Sequence, residues 1–158
     1  MATVLQGVMT NKGREILAKS LGSVGGFPFV ASVSFGYGEG GWTTSGGGRT
    51  PKIPDPARID LEARTTPPPD DFIFGHNIIP ADVTFIPPST IEFRCRLVPS
   101  EANDDGYGNS PKFFELGIFD AAVDGSNKPT GNMIAYTTFD EQTKSATKSL
   151  ITYVQIVF

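Results

Sequence analysis

The sequence predicts a mainly β protein: an antiparallel β-sandwich-like domain with one N-terminal α-helix and a long Pro/Gly-rich arm. Three observations predict it. Eighteen Gly and thirteen Pro in 158 residues make up about a fifth of the chain, where about 12% is ordinary. Short runs of alternating apolar and polar residues recur between turn residues, the period of half-buried strands. Only one stretch has helical spacing. Twelve Phe against four Tyr and one Trp make the aromatic content mostly core material. At 158 residues, with 39% hydrophobic and 19% charged, the chain can build one real core and is not compositionally disordered. Residues 1–158 are therefore read as a single domain, with 41–71 as an extended arm or insertion.

The helix comes first, over about 11–21. Thr10 or Asn11 suits its N-cap. Ile16, Leu17, Ser20 and Leu21 share one face, and Lys12, Arg14, Glu15 and Lys19 the wet one. Gly22 supplies a left-handed stop. Phe29–Phe35 alternates as a half-buried strand, with Phe29, Ala31, Val33 and Phe35 on one side and Val30, Ser32 and Ser34 on the other. From Gly36 to Asp71 regular pattern nearly disappears, and only Ala57–Ala63, with Ile59 and Leu61, suits a short strand. Loops of that length are usually functional or disordered, and the prolines favour an extended course. Phe72–Phe74 is a short strand. Val83–Ile86 and Thr90–Val98 form a hairpin around Pro87-Pro88-Ser89. In its second strand Ile91, Phe93, Cys95 and Leu97 share one face, and Glu92, Arg94 and Arg96 the other. A polar loop follows over 99–111. Phe113–Phe119 and Met133–Phe139 form a hairpin across Asp124-Gly125, and Ser149–Phe158 is the closing strand.

Charge narrows the function classes. The net charge is −4 and the thirteen Lys and Arg are scattered. Nucleic-acid binding needs clustered cations that displace counterions, so no nucleic-acid partner is expected. One Cys and one His allow neither a disulfide within the chain nor a Cys/His zinc cage. No apolar run reaches the ~20 residues of a membrane helix, and the start lacks a secretory pattern. The expected product is made in a cytoplasm and has no membrane partner.

Candidate chemistry resolves into structural readings. Gly36, Gly38 and Gly41 match G-x-G-x-x-G, but Trp42-Thr-Thr-Ser-Gly-Gly-Gly cannot start the helix that a dinucleotide loop requires. His76, without a second imidazole or a placed nucleophile, reads as a turn residue beside Gly75 and Asn77. Cys95 lies between two arginines that could lower its pKa, yet strand alternation turns it to the core. Asp104, Asp105 and Asn109 lack calcium-loop spacing. Glu115 and Asp120 could be a glycosidase-like carboxylate pair. The economical reading pairs Glu115 with an Arg and leaves Asp120 to a turn. No catalytic, cofactor-binding or metal residue is assigned.

What remains is surface. In the closing strand Leu150, Thr152, Val154, Ile156 and Phe158 form one face, and Ile151, Tyr153, Gln155 and Val157 the other. Both are mostly apolar, so both should be covered, one by the core and one by a partner. The arm, too poor in apolar residues to fold back on its own domain, suits an inter-subunit clasp. The interface residues expected are Tyr153, Val157, Glu115, Trp42, Pro67, Pro68 and Pro69.

Several segments resemble one family. Met9-Thr-Asn-Lys-Gly-Arg-Glu-Ile-Leu-Ala-Lys-Ser-Leu resembles the opening "T-x-x-G" helix of phage tail-fibre N-terminal (tail-collar) domains. Val33-Ser-Phe-Gly-Tyr-Gly is similar to their following strand and turn. Phe114-Glu-Leu-Gly-Ile-Phe-Asp-Ala, Asp124-Gly and Asn132-Met-Ile-Ala-Tyr resemble their "[IL]-G-[LI]-F-D" hairpin. The likeness covers about 1–40 and 112–158. It implies a non-enzymatic virion structural protein that assembles as a trimer with other tail or baseplate proteins. With no fibre shaft after Phe158, a small adaptor or a baseplate or collar subunit is expected. Two alternatives stand beside it: a capsid cement (decoration) protein, and a carbohydrate-binding module stacking sugars on Trp42, Tyr37 and Tyr107.

Overall fold

The computed structural model describes residues 3–22, 30–37, 42–45, 48–51, 53–61, 72–105 and 108–158. Two sheets face one another. The first contains β1 (Thr3–Gln6), β11 (Leu150–Val157), β8 (Thr90–Leu97) and β7 (Val83–Ile86), in that spatial order. The second contains β2 (Val8–Met9), β10 (Met133–Thr143), β9 (Lys112–Phe119), β3 (Ser32–Gly36) and β6 (Ile73–Asn77). Every pairing among these strands is antiparallel except β1 with β11. The chain crosses from one sheet to the other at Gly7, whose N–H donates to the Gln155 carbonyl (2.8 Å). The fold is the mainly β, single-helix architecture expected from composition.

Alternation builds the core between the sheets. Phe93, Cys95 and Leu97 of β8 and Val154 and Ile156 of β11 meet Val33, Phe35, Leu116, Ile118 and Ala135 of the second sheet. The β7–β8 register sets Val83 against Phe93 and Ile86 against Thr90, around Pro87-Pro88-Ser89.

Helix α1 (Asn11–Gly22) docks on the start of β10. Thr10 does the docking as N-cap: its Oγ1 accepts the Gly13 N–H (2.9 Å) and donates to the Met133 (2.7 Å) and Ile134 (3.0 Å) carbonyls. Gly13 stands so close that a Cβ there would lie 2.2 Å from the Ile134 carbonyl oxygen. The T-x-x-G spacing thus has a local cause: a cap and, three residues on, a position with no room for a side chain.

The second sheet differs from the half-buried expectation. Its β3 is buried on both faces, Ser32 and Ser34 included. So is β9 from Phe113 to Phe119. The cover comes from the turn over 121–128, where the Ala121 carbonyl accepts the Ser32 hydroxyl (2.6 Å), and from the segment expected to be an extended arm. Within it, β4 (Trp42–Ser45) and β5 (Gly48–Pro51) pair as a hairpin, and β5 lies against β10. Residues 57–61 are turn and loop rather than strand. They nonetheless fold back on the domain. Leu61 is fully buried with Ile73, Phe119, Met133 and Tyr136, while Ile59 points to solvent. Burying a Leu contributes about 1.5–3 kcal/mol, part of what offsets the ordering of this segment once its polar groups are satisfied.

Those polar groups are satisfied. The Arg58 guanidinium reaches the fully buried Glu115 carboxylate at 3.4 Å and lies over the Tyr136 ring, 5.9 Å from its centroid. Arg58 Nε donates to the Asp60 carbonyl (2.9 Å), and the Asp60 carboxylate accepts the Leu61 N–H (2.8 Å). The Asp55 N–H donates to the Tyr136 hydroxyl, and the Asn11 N–H to the Pro56 carbonyl (2.7 Å). The cation expected for Glu115 therefore comes from its own chain.

Two stability measurements follow. Glu115→Gln should lower the unfolding free energy toward the lower end of the about 3–5 kcal/mol for a broken buried pair, since Arg58 keeps partial access to water. Unchanged urea denaturation would show that the pair is dispensable. Gly13→Ala should cost about 1–3 kcal/mol by overpacking, whereas Gly125→Ala, where a Cβ meets open space, should stay within about 0.5 kcal/mol.

Candidate interaction surface and polar cleft

Among the described residues the first sheet is covered on one face only. Its inner residues enter the core. Its outer face carries Val4, Ile151, Tyr153, Gln155 and Val157 beside Glu92, Arg94 and Arg96. Val157 is 55% exposed, Ile151 is exposed, and Tyr153 and Gln155 are half-buried. Gln155 Nε2 donates to Glu92 Oε2 (2.8 Å), a polar clasp between the two central strands.

The same sheet ends in an open edge. All four residues of β7, Val-Thr-Phe-Ile, are exposed, Phe85 to 62%. By register Val83 and Phe85 share the parity of Phe93 and Ile91, the core side. Their exposure means that the edge overhangs the second sheet. Phe158, 56% exposed, lies at the same end, its N–H donating to the Ser89 carbonyl (2.9 Å). Natural edges are usually blunted by charge, proline or a bulge, and the four residues of β7 include none of these.

The β7 strand pairs only with Thr90–Phe93. Alongside the other half of β8 the sheets part around a cleft of about 300 Å³. It is lined by His76 and Asn77 of β6, Ile79 and Asp82 of the turn before β7, and Arg96, Val98 and Glu101. Asp82 is almost fully buried and lies 3.6 Å from Arg94 Nε. Glu101 Oε2 accepts the Val98 N–H (2.8 Å). The turn residue expected at His76 is instead a strand residue opposite Val33, its ring half-buried and neither nitrogen hydrogen-bonded. Burial lowers its pKa; Glu101 and Asp82 oppose that, and Arg96 adds to it. A single His between Gly and Asn reads as a turn because one residue type cannot show which strand it pairs with.

The other expected residues fall as follows. Tyr153 and Val157 lie on the open outer face. Glu115 is fully buried within the chain under Arg58. Trp42 opens β4 opposite Pro51. Pro67, Pro68, Pro69 and Tyr107 lie outside the described residues, as do Gly38 and Gly41. Tyr37 is packed on Phe114 at 5.6 Å between centroids rather than standing as an open platform. The Asp105 carboxylate is taken up by the Asn109 backbone and side-chain amides (3.1 and 3.2 Å). Asp120 is held likewise by Asn132 (2.7 and 2.9 Å). Among the described residues no three His, Cys, Asp or Glu side chains are grouped to hold a metal ion. The β4–β5 hairpin was not read from the sequence, although two glycines separate Trp42-Thr-Thr-Ser from Gly-Arg-Thr-Pro, a hairpin signal.

No family model, curated protein or solved structure matches the chain.

Cys95 is fully buried in the core, and burial raises its thiol pKa, with Asp82 contributing. A protonated, enclosed thiol is inert. Disulfide reagents at pH 8 should leave it unlabelled in the folded protein and label it on unfolding in urea. Labelling within minutes under native conditions would contradict the burial.

Proposed function

We propose that the protein is a virion structural subunit, a tail-fibre-like adaptor or baseplate or collar component of a bacteriophage tail, that acts by assembling with copies of itself and with neighbouring tail proteins. One observation carries the assembly part: the four-stranded sheet has an unguarded apolar edge and an uncovered outer face. Exposed apolar area concentrated on one sheet marks an interaction site rather than ordinary surface. The resemblance carries the setting. The segments that support it are neighbours in the fold, since Thr10 and Gly13 rest on Met133 and Ile134, and β3 pairs with β9. Closed cyclic symmetry, three-fold by the resemblance, would bury the apolar strand without leaving an open surface.

The closing strand is an economical assembly device. Its inner face is committed to the core. Its outer face presents Ile151, Tyr153 and Val157 with Arg94, Arg96 and Glu92 beside them. Tyr and Arg among aliphatic residues is the composition that interface centres favour.

Light scattering tests the reading. The wild-type chain should be oligomeric at tens of micromolar, and Val157→Asp or Phe85→Asp should yield a folded monomer with an unchanged far-UV spectrum. A wild-type monomer, or an oligomer indifferent to both substitutions, would remove this surface from the proposal. Cryo-EM of the particle then distinguishes tail from capsid.

A further inference from the structure

His76 occupies an unusual place in this fold. It is the one histidine of the chain, on the last strand in the order of the five-stranded sheet. Both ring nitrogens are buried without a hydrogen-bond partner. A neutral imidazole tolerates this at the cost of one unmade donor bond and one unmade acceptor bond. An imidazolium has two N–H donors and a full charge, and burial without acceptors penalises it far more.

Among the described residues the groups that face it are few. Asp82 comes from the 3-10 turn Pro80–Asp82, Glu101 from the loop after β8, and Arg96 from β8 itself. The neighbouring strand β3 brings Val33 and Phe35, which do not ionise. The turn over 121–128 docks on β6 through the Gly75 N–H to the Asn127 carbonyl (2.7 Å) and the Val123 N–H to Asn77 Oδ1 (3.0 Å). Its own Asp124 is occupied by the Ser126 and Lys128 N–H groups (2.8 and 2.9 Å). Two carboxylates are thus the available acceptors for a charged imidazole, and both are engaged. Asp82 faces Arg94 at the residue before β7, and Glu101 holds the Val98 N–H.

We propose that His76 is an acid-triggered latch: a proton taken from solvent onto its ring draws Asp82 and Glu101 from their present partners and loosens the seam between β6, the 3-10 turn and the start of β7. The sign follows from linkage. Burial lowers the folded pKa below the ordinary 6.5, so the unfolded chain takes up the proton first. The contribution to stability is complete above about pH 6.5 and is lost as pH falls through the folded pKa. In the neutral state Asp82 and Glu101 keep their present partners and β7 keeps its position; acid loosens that edge. The latch is a property of the single chain and does not depend on what binds the edge.

A lone histidine makes the experiment direct. Its ring proton resonances should titrate with a midpoint below 6.5. Amide exchange, corrected for intrinsic rates, should show protection at Gly75–Asn77 and Asp82–Phe85 falling by up to tenfold per pH unit between the two pKa values, the limit for one proton. His76→Gln should abolish that fall while leaving the protection of β9 unchanged. A midpoint at or above 6.5 would overturn the latch. So would pH-independent protection in the wild type, or the same loss in His76→Gln. Should the variant not fold, the wild-type titration and exchange still decide.

Discussion

A carboxylate sits in the middle of an apolar strand, and the chain has to bring it a cation. Glu115 lies on the face of β9 turned away from the sandwich core. There it would sit in solvent if the five-stranded sheet had an ordinary wet side. Instead, residues 53–61 cross that face, and Arg58 meets Glu115 and the Tyr136 ring together. Removing a partner from a buried charge is strongly destabilising, so the crossing segment cannot lift away without exposing Leu61 and taking Arg58 from Glu115. Much of the second sheet depends on this pair. It accounts for an apolar run in β9 where alternation would otherwise hold and for the course of a proline-rich segment with few apolar residues. The Asn11 N–H bonded to Pro56 ties the same segment to the first turn of the helix.

Sealing one sheet on both faces makes the other sheet conspicuous. Among the described residues the four-stranded sheet has no covering layer of its own, and its edge strand is exposed. The two halves of the molecule thus differ. The five-stranded side is closed by the chain's own loop, hairpin and helix. The four-stranded side presents the exposed face and edge on which the proposed assembly rests. The cleft with His76 lies at the boundary between them, where β7 stops following β8 and the two sheets part. The proposed latch would add a proton-dependent element at that boundary.

How far the sequence could be read varied with the kind of physics involved. Helix α1 was legible because capping and 3.6-residue spacing are local. So were β8, β9 and β11, whose long alternating or apolar runs identify strands whatever they pair with. The Arg partner of Glu115 was foreseeable as chemistry, since a carboxylate within Phe-Phe-Glu-Leu-Gly-Ile-Phe has few other ways to be buried. That the partner is Arg58, 57 positions away, was not. The cover over the second sheet was missed because Ile59 and Leu61 look equivalent in sequence, yet one is exposed and the other is core. The cleft was missed because His76, Asp82, Arg96 and Glu101 converge from separate elements, and none has a neighbour that signals the others.

By itself the sequence determined helix α1 and the long strands β8, β9, β10 and β11, the alternation that defines the inner faces, and the demand for a cation at Glu115. These depend on residues within a few positions of one another or on the chemistry of one side chain. Only the tertiary structure decided which strands lie at the edges, which face of each sheet is dry, and which charged groups meet at the parting of the sheets. These depend on strand order and on the path of a loop. Burial of a face is a property of whatever lies opposite it, and no period along the chain encodes that.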